Sequence, residues 1–212
     1  MKFSWIFILL AFSLSFSSSA INDQTRPLIE KSIQAEDAGN YKEAIKLDLK
    51  ILTLEPNSFE ATNSIAGLYG LLGQFDQEIL WANKAIKIAP SNFNGYINLG
   101  NALAGTGDMK GAELSYMKAR QLGPDAPLPI YSLALLSEQS GDEKKAAILY
   151  EKSIELDPKF ENGYLNLAAL YANQKQFGVA LDYLNRLLII NPKNGDAIAM
   201  KRQIDQYLKK QR

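Results

Sequence analysis

The sequence predicts an all-α chain built as a linear array of repeated helical units, and three observations carry that expectation. The stretch 141–158, GDEKKAAILYEKSIELDP, sets Ala146, Tyr150, Ser153 and Ile154 at i, i+4, i+7 and i+8, which is one face of a helix. Its stop recurs at Pro56, Pro90, Pro124, Pro158 and Pro192, with a constant interval of 34 residues. Proline ends a helix because it has no N–H to donate and disfavours helical geometry in the residue before it. The turn before the helix keeps the same step at Gly39, Gly73, Gly107 and Gly141, with Lys175 the exception.

Each unit then resolves into two helices. In the second, a small residue recurs as Ala44, Ala112, Ala146 and Ala180, with Glu78 out of pattern. In the first, a small residue recurs as Ser32, Ala66, Gly100, Ala134 and Ala168, and Tyr69, Leu103 and Tyr171 follow three residues later. Small residues let helix axes approach while large ones fill the gaps between ridges. No such helix can bury its face alone, so the units must stack on one another.

This 34-residue period with its small and large landmarks resembles the tetratricopeptide repeat (TPR). The resemblance covers five tandem repeats, 25–58, 59–92, 93–126, 127–160 and 161–194, followed by a C-terminal capping helix over 195–212. It implies a right-handed α-solenoid of antiparallel helix pairs, a TPR superhelix with a concave and a convex face.

Taken in order, residues 1–20 read as a cleaved signal peptide. Lys2 is the positive start, Phe3 to Phe16 the apolar run, and Ser18 and Ala20 the small residues before a cut after Ala20. The run is shorter than the ~20 residues a membrane-spanning helix needs, and no basic cluster follows it. Residues 21–24 form a short linker. The first repeat is the most degenerate, with Lys31 and Asp48 where later repeats carry apolar or aromatic residues. Polar residues on an uncovered end repeat account for this. In the fourth repeat Pro127 and Pro129 fit the first helical turn. In the last helix Ile198, Ile204, Tyr207 and Leu208 are expected to face inward.

Composition narrows the function. Lys+Arg and Asp+Glu both number 23, so no global field draws in nucleic acid. Cys and His are absent, which removes disulfides, thiolate nucleophiles, the usual zinc sites and any Ser-His-Asp triad. Each acidic residue of the repeats fits a surface or turn position. The reading is therefore a non-enzymatic protein that needs no cofactor or metal and has no membrane span once the signal is removed.

The resemblance assigns the concave groove to positions 2, 5, 6, 9, 12 and 13 of each repeat, and here those positions are rich in asparagine. The candidate partner-binding residues are Asn63, Asn98, Asn101, Tyr131, Asn166 and Asn173. Asn98 and Asn166 share position 6, which is Ser64 in the second repeat and Ser132 in the fourth. An amide offers donors and an acceptor, so it can hold a peptide backbone whatever its sequence. The pattern resembles the asparagine ladder of O-linked N-acetylglucosamine transferase. The same two amides could equally brace adjacent repeats, and Asn94 and Asn162 suit helix N-caps. The basic residues of the cochaperone carboxylate clamp have no counterparts here beyond Arg26.

Two functions follow. One is an exported scaffold or adaptor, periplasmic or extracellular, that binds a protein or peptide segment in its groove. The other is a structural, self-associating subunit of a cell-envelope assembly.

Overall fold

The computed structural model of the chain describes residues 24–211. The expected signal peptide and most of the linker lie outside the described residues. Eleven helices follow one another with no strand among the described residues: α1 (Arg26–Asp37), α2 (Tyr41–Leu54), α3 (Phe59–Leu71), α4 (Phe75–Ile88), α5 (Phe93–Thr106), α6 (Met109–Leu122), α7 (Pro127–Gln139), α8 (Glu143–Leu156), α9 (Glu161–Asn173), α10 (Phe177–Ile190) and α11 (Gly195–Lys210). Connections of two to four residues make each consecutive packed pair antiparallel. No helix among the described residues is long and apolar enough to cross a membrane.

The boundaries have local causes. Each even-numbered helix from α2 to α10 stops two residues before one of the recurring prolines. The turn inside each pair needs a left-handed backbone, supplied by Gly39, Gly73, Gly107 and Gly141 at φ between 67° and 90°. Lys175 holds that conformation in the fifth pair at φ 61°, a side chain where glycine costs nothing. Ser58, Asn92, Asp108, Asp142 and Asn194 cap α3, α5, α6, α8 and α11 through their side-chain oxygens. The cap of α5 is thus Asn92, whose Oδ1 accepts from the Asn94 N–H, so the expected capping role of Asn94 belongs two residues earlier. Phe160 holds the N-cap position of α9 and Asn162 lies inside the helix. Pro127 opens α7 as expected.

The chain divides after Pro124 into two compact units. In the first, α1 to α6, part of the core gathers Ala44, Ile45, Ile65 and Leu68. Gly100 lies where any side chain would collide with the Tyr116 ring of α6, so the glycine sets how closely α5 and α6 pack. In the second, α7 to α11, a continuous core runs from Tyr131 and Ala134 through Ala146, Tyr150, Ala168 and Leu184 to Met200 and Ile204. The face read from the sequence in α8 is the one buried: Ala146, Tyr150, Ser153 and Ile154. Trp81, Leu149 and Tyr183, which repeat at one position, are half-buried packing residues. In α11, Ile204 is buried but Ile198 is 39% exposed, so the expectation of an inward Ile198 is corrected.

Two further corrections concern acids. Asp48 is 3% exposed and Glu78 2% exposed, so neither is a surface residue. Asp48 is covered by α1, whose Ser32 hydroxyl donates to its Oδ1 at 2.6 Å, and an uncovered end does not explain it. Glu78 fits because α3 carries Gly70 opposite it. The sequence pattern marks both as departures from the repeat but does not show what faces them.

Candidate functional site

The first helices α3 and α5 of the first unit, and α7 and α9 of the second, carry every candidate residue. Their placement separates them into an interior set and an exposed set.

The interior set joins adjacent repeats. Asn98 on α5 donates its Nδ2 to the backbone carbonyl and to the Oδ1 of Asn63 on α3, both at 3.0 Å. Asn166 on α9 donates its Nδ2 to the Tyr131 hydroxyl on α7 at 2.7 Å. Both bonds run from position 6 of one repeat to position 5 of the repeat before it. Asn63, Asn98, Tyr131 and Asn166 are 6%, 2%, 2% and 9% exposed, and the Nδ2 groups of Asn98 and Asn166 serve the packing of neighbouring pairs. The Tyr131 ring also lies edge-on to Phe160, with centroids 5.2 Å apart, and tilted against Tyr150. Burial pushes its phenol further from ionisation.

The exposed set is Asn101 and Asn173. Asn173 is the last residue of α9. Asn101 lies one turn after Asn98, and its Oδ1 accepts from the Tyr116 hydroxyl of α6 at 2.8 Å. That bond fixes the amide by its oxygen and leaves the nitrogen as the donor toward solvent. Beside Asn98, Gly67 of α3 opens a notch. A Cβ at Gly67 would meet only the Asn98 Oδ1, at 3.9 Å. The face of α3 and α5 therefore offers an acceptor at Asn98 and a donor at Asn101, one helical turn apart.

At the α1 end the same face turns acidic. Glu30, Ile33 and Asp37 are exposed on one stripe of α1 with Arg26 at its head, and Glu36 and Glu60 are half-buried. Glu36 is raised above the usual carboxylate range by burial first and then by Asp48 and Asp37. Asp48 is raised to about 6 by burial, against the opposing pull of the Ser32 and Ser64 hydroxyls. Glu78 reaches about 8 through burial. The candidate residues read from the sequence miss this acidic corner. Its signal was there, in the departure of Asp48 from a position that the other repeats fill with Ala82, Tyr116, Tyr150 and Leu184.

Among the described residues no group of three or more His, Cys, Asp or Glu is placed to hold a metal ion.

Comparison with known proteins places this geometry in context. Segments 60–92, 93–124 and 130–160 match one tetratricopeptide-repeat model, and 149–180 matches a second. The human Protein O-mannosyl-transferase TMTC3 is 27% identical over 175 residues, covering 75% of this chain. The chain spans only 19% of that protein's length. A crystal structure of a thermophilic TPR protein from Thermus thermophilus superposes with a TM-score of 0.77 at 19% identity, over 85% of this chain and 98% of that one. That of YrrB, described as a TPR protein with an unusual peptide-binding site, gives 0.52 at 19% identity, over 83% and 91%. At such identities the structures share the fold.

Proposed function

The chain belongs to the tetratricopeptide-repeat family, and we propose that it is an exported, non-catalytic scaffold that binds an extended segment of a partner protein across α3 and α5. The observation that carries this reading is the pair formed by the Asn98 Oδ1 beside Gly67 and the Asn101 amide held by Tyr116. An extended backbone presents N–H and C=O groups in alternation, and a fixed acceptor and donor one turn apart can take one of each without reading side chains. A continuous amide ladder does not carry it, because Asn63, Asn98 Nδ2, Tyr131 and Asn166 are engaged between repeats. The peptide-binding site named for YrrB supports the idea that such a fold holds a peptide.

The test is capture of the partner from an envelope extract, followed by calorimetry with Gly67→Leu. A leucine would lie over the Asn98 Oδ1, and affinity should fall at least tenfold, about 1.4 kcal/mol. The helix should stay folded, since the notch is open. Unchanged affinity would move the site elsewhere. Export is tested by the intact mass of the secreted or periplasmic product, which should begin at Ile21. A product that retains residues 1–20 and sediments with membranes would refute it.

One observation favours a self-associating envelope subunit as the second reading. Leu80, Leu114 and Ile148 share one position of the second helices and are 48%, 61% and 64% exposed. A mass that rises with protein concentration, and falls in Leu114→Ser, would support that reading over the first.

A further inference from the structure

We propose that the acidic corner where α1 meets α2 and α3 is a receptor for a basic side chain, the ammonium of a lysine or the guanidinium of an arginine. The inference rests on the groove reading above and names what the bound segment brings to its α1 end.

The starting point is an oxygen with nothing to do. Asp48 is 3% exposed, and its Oδ1 accepts from the Ser32 hydroxyl at 2.6 Å. Its Oδ2 is buried and has no hydrogen-bond partner. Other repeats fill this position with Ala82, Tyr116, Tyr150 or Leu184, which pack without such a debt. A buried carboxylate oxygen with no partner within hydrogen-bond distance is costly, and the Ser64 hydroxyl that faces this carboxylate leaves the Oδ2 open to a further donor.

The surroundings specify the donor's charge. Glu36 of α1 is close enough for Asp48 and Asp37 to disfavour its ionisation, and it is half-buried, bringing the cluster to the surface. Ser64 of α3 faces the Asp48 carboxylate with a hydroxyl. A neutral donor would satisfy the Oδ2 but leave the carboxylates repelling one another. A cation does both, and forms the stronger charge-assisted bond. The exposed stripe of α1 with Glu30 and Asp37 gives the approach the same sign. Ile33 between them is an apolar surface for the methylene stem of a long basic side chain.

The experiment uses the isotope-labelled protein and capped alanine peptides with a single central lysine or norleucine. The lysine peptide should give saturable amide shifts at Ser32, Glu36, Asp48 and Ser64, and the norleucine peptide should not. Asp48→Asn should bind the lysine peptide at least tenfold more weakly with an unchanged or higher melting temperature. In the wild type, carbon-detected titration should show Asp48 ionising at lower pH when the lysine peptide is bound. Equal shifts with both peptides, undiminished binding to Asp48→Asn, or an Asp48 titration indifferent to the peptide would overturn the receptor and leave the groove standing. Silence at these amides would overturn it as well, and the capture experiment with Gly67→Leu then judges the groove by itself.

Discussion

The carboxylate of Glu78 fills the space that a side chain on Gly70 would take. A Cβ on Gly70 would stand 2.7 Å from its Cδ and from both of its oxygens. The two are positions 12 and 20 of the second repeat. Position 20 is Ala112, Ala146 and Ala180 in the last three repeats, so the missing volume and the excess volume belong together. Gly70→Ala should therefore depend on its partner. With Glu78→Ala already in place it should stabilise by up to ~1 kcal/mol, the helix preference of alanine over glycine. In the wild type that gain should be lost to the clash, giving a coupling of about 0.5–3 kcal/mol in urea melts of the four proteins. Additive effects would mean that the carboxylate does not lie against Gly70.

The buried acids set a pH dependence of known sign. Asp48 is raised from 3.8 to about 6 and Glu78 from 4.5 to about 8, so the fold holds their protons more tightly than the unfolded chain. Between the unfolded and folded values the native state binds more protons, and stability falls as pH rises. The stability contributed by these two acids should thus decline from about pH 4 to pH 8. Glu78→Gln should flatten the upper part of that decline. Thermal melts across the range, read by circular dichroism, check it; a wild type and variant of equal slope would place the Glu78 proton in solvent.

The bond from Asn166 to Tyr131 should appear as a stability term. Asn166→Ala leaves a buried hydroxyl without its donor, at a cost of ~1–3 kcal/mol. Tyr131→Phe removes that hydroxyl, so the double variant should cost less than the two single changes together. Denaturant melts of the four proteins measure the coupling. A value near zero would free Asn166 for a partner.

The helical register is open to a direct check. Ala146 and Ala168 are 0% exposed, so Ala→Leu at either should overpack and cost ~1–3 kcal/mol. Lys144 and Glu155 are exposed, and leucine there should change stability by less than ~0.5 kcal/mol. Equal melts for all four variants would contradict the faces described.

How far the sequence revealed this is uneven for physical reasons. Proline stops and left-handed glycine turns act through the local backbone, so Pro56 to Pro192 and Gly39 to Gly141 announce the helix ends in one dimension. Inter-repeat contacts do not. The partner of Asn98 lies 35 residues back, one repeat plus one position, and only the stacking of α3 on α5 brings them together. Groove positions assigned by resemblance therefore included residues that the packing consumes. Asp48 and Glu78 were visible as irregularities, but a one-dimensional pattern cannot distinguish a polar residue left outside from one enclosed by its neighbours.

The succession of short connections has a kinetic consequence. Within each unit the substantial contacts join helices one or two steps apart along the chain. Such low contact order places folding on the microsecond-to-millisecond scale, because little loop entropy is lost before packing is gained. Chain emerging from a ribosome can close each hairpin as its second helix clears, without waiting for the last residue.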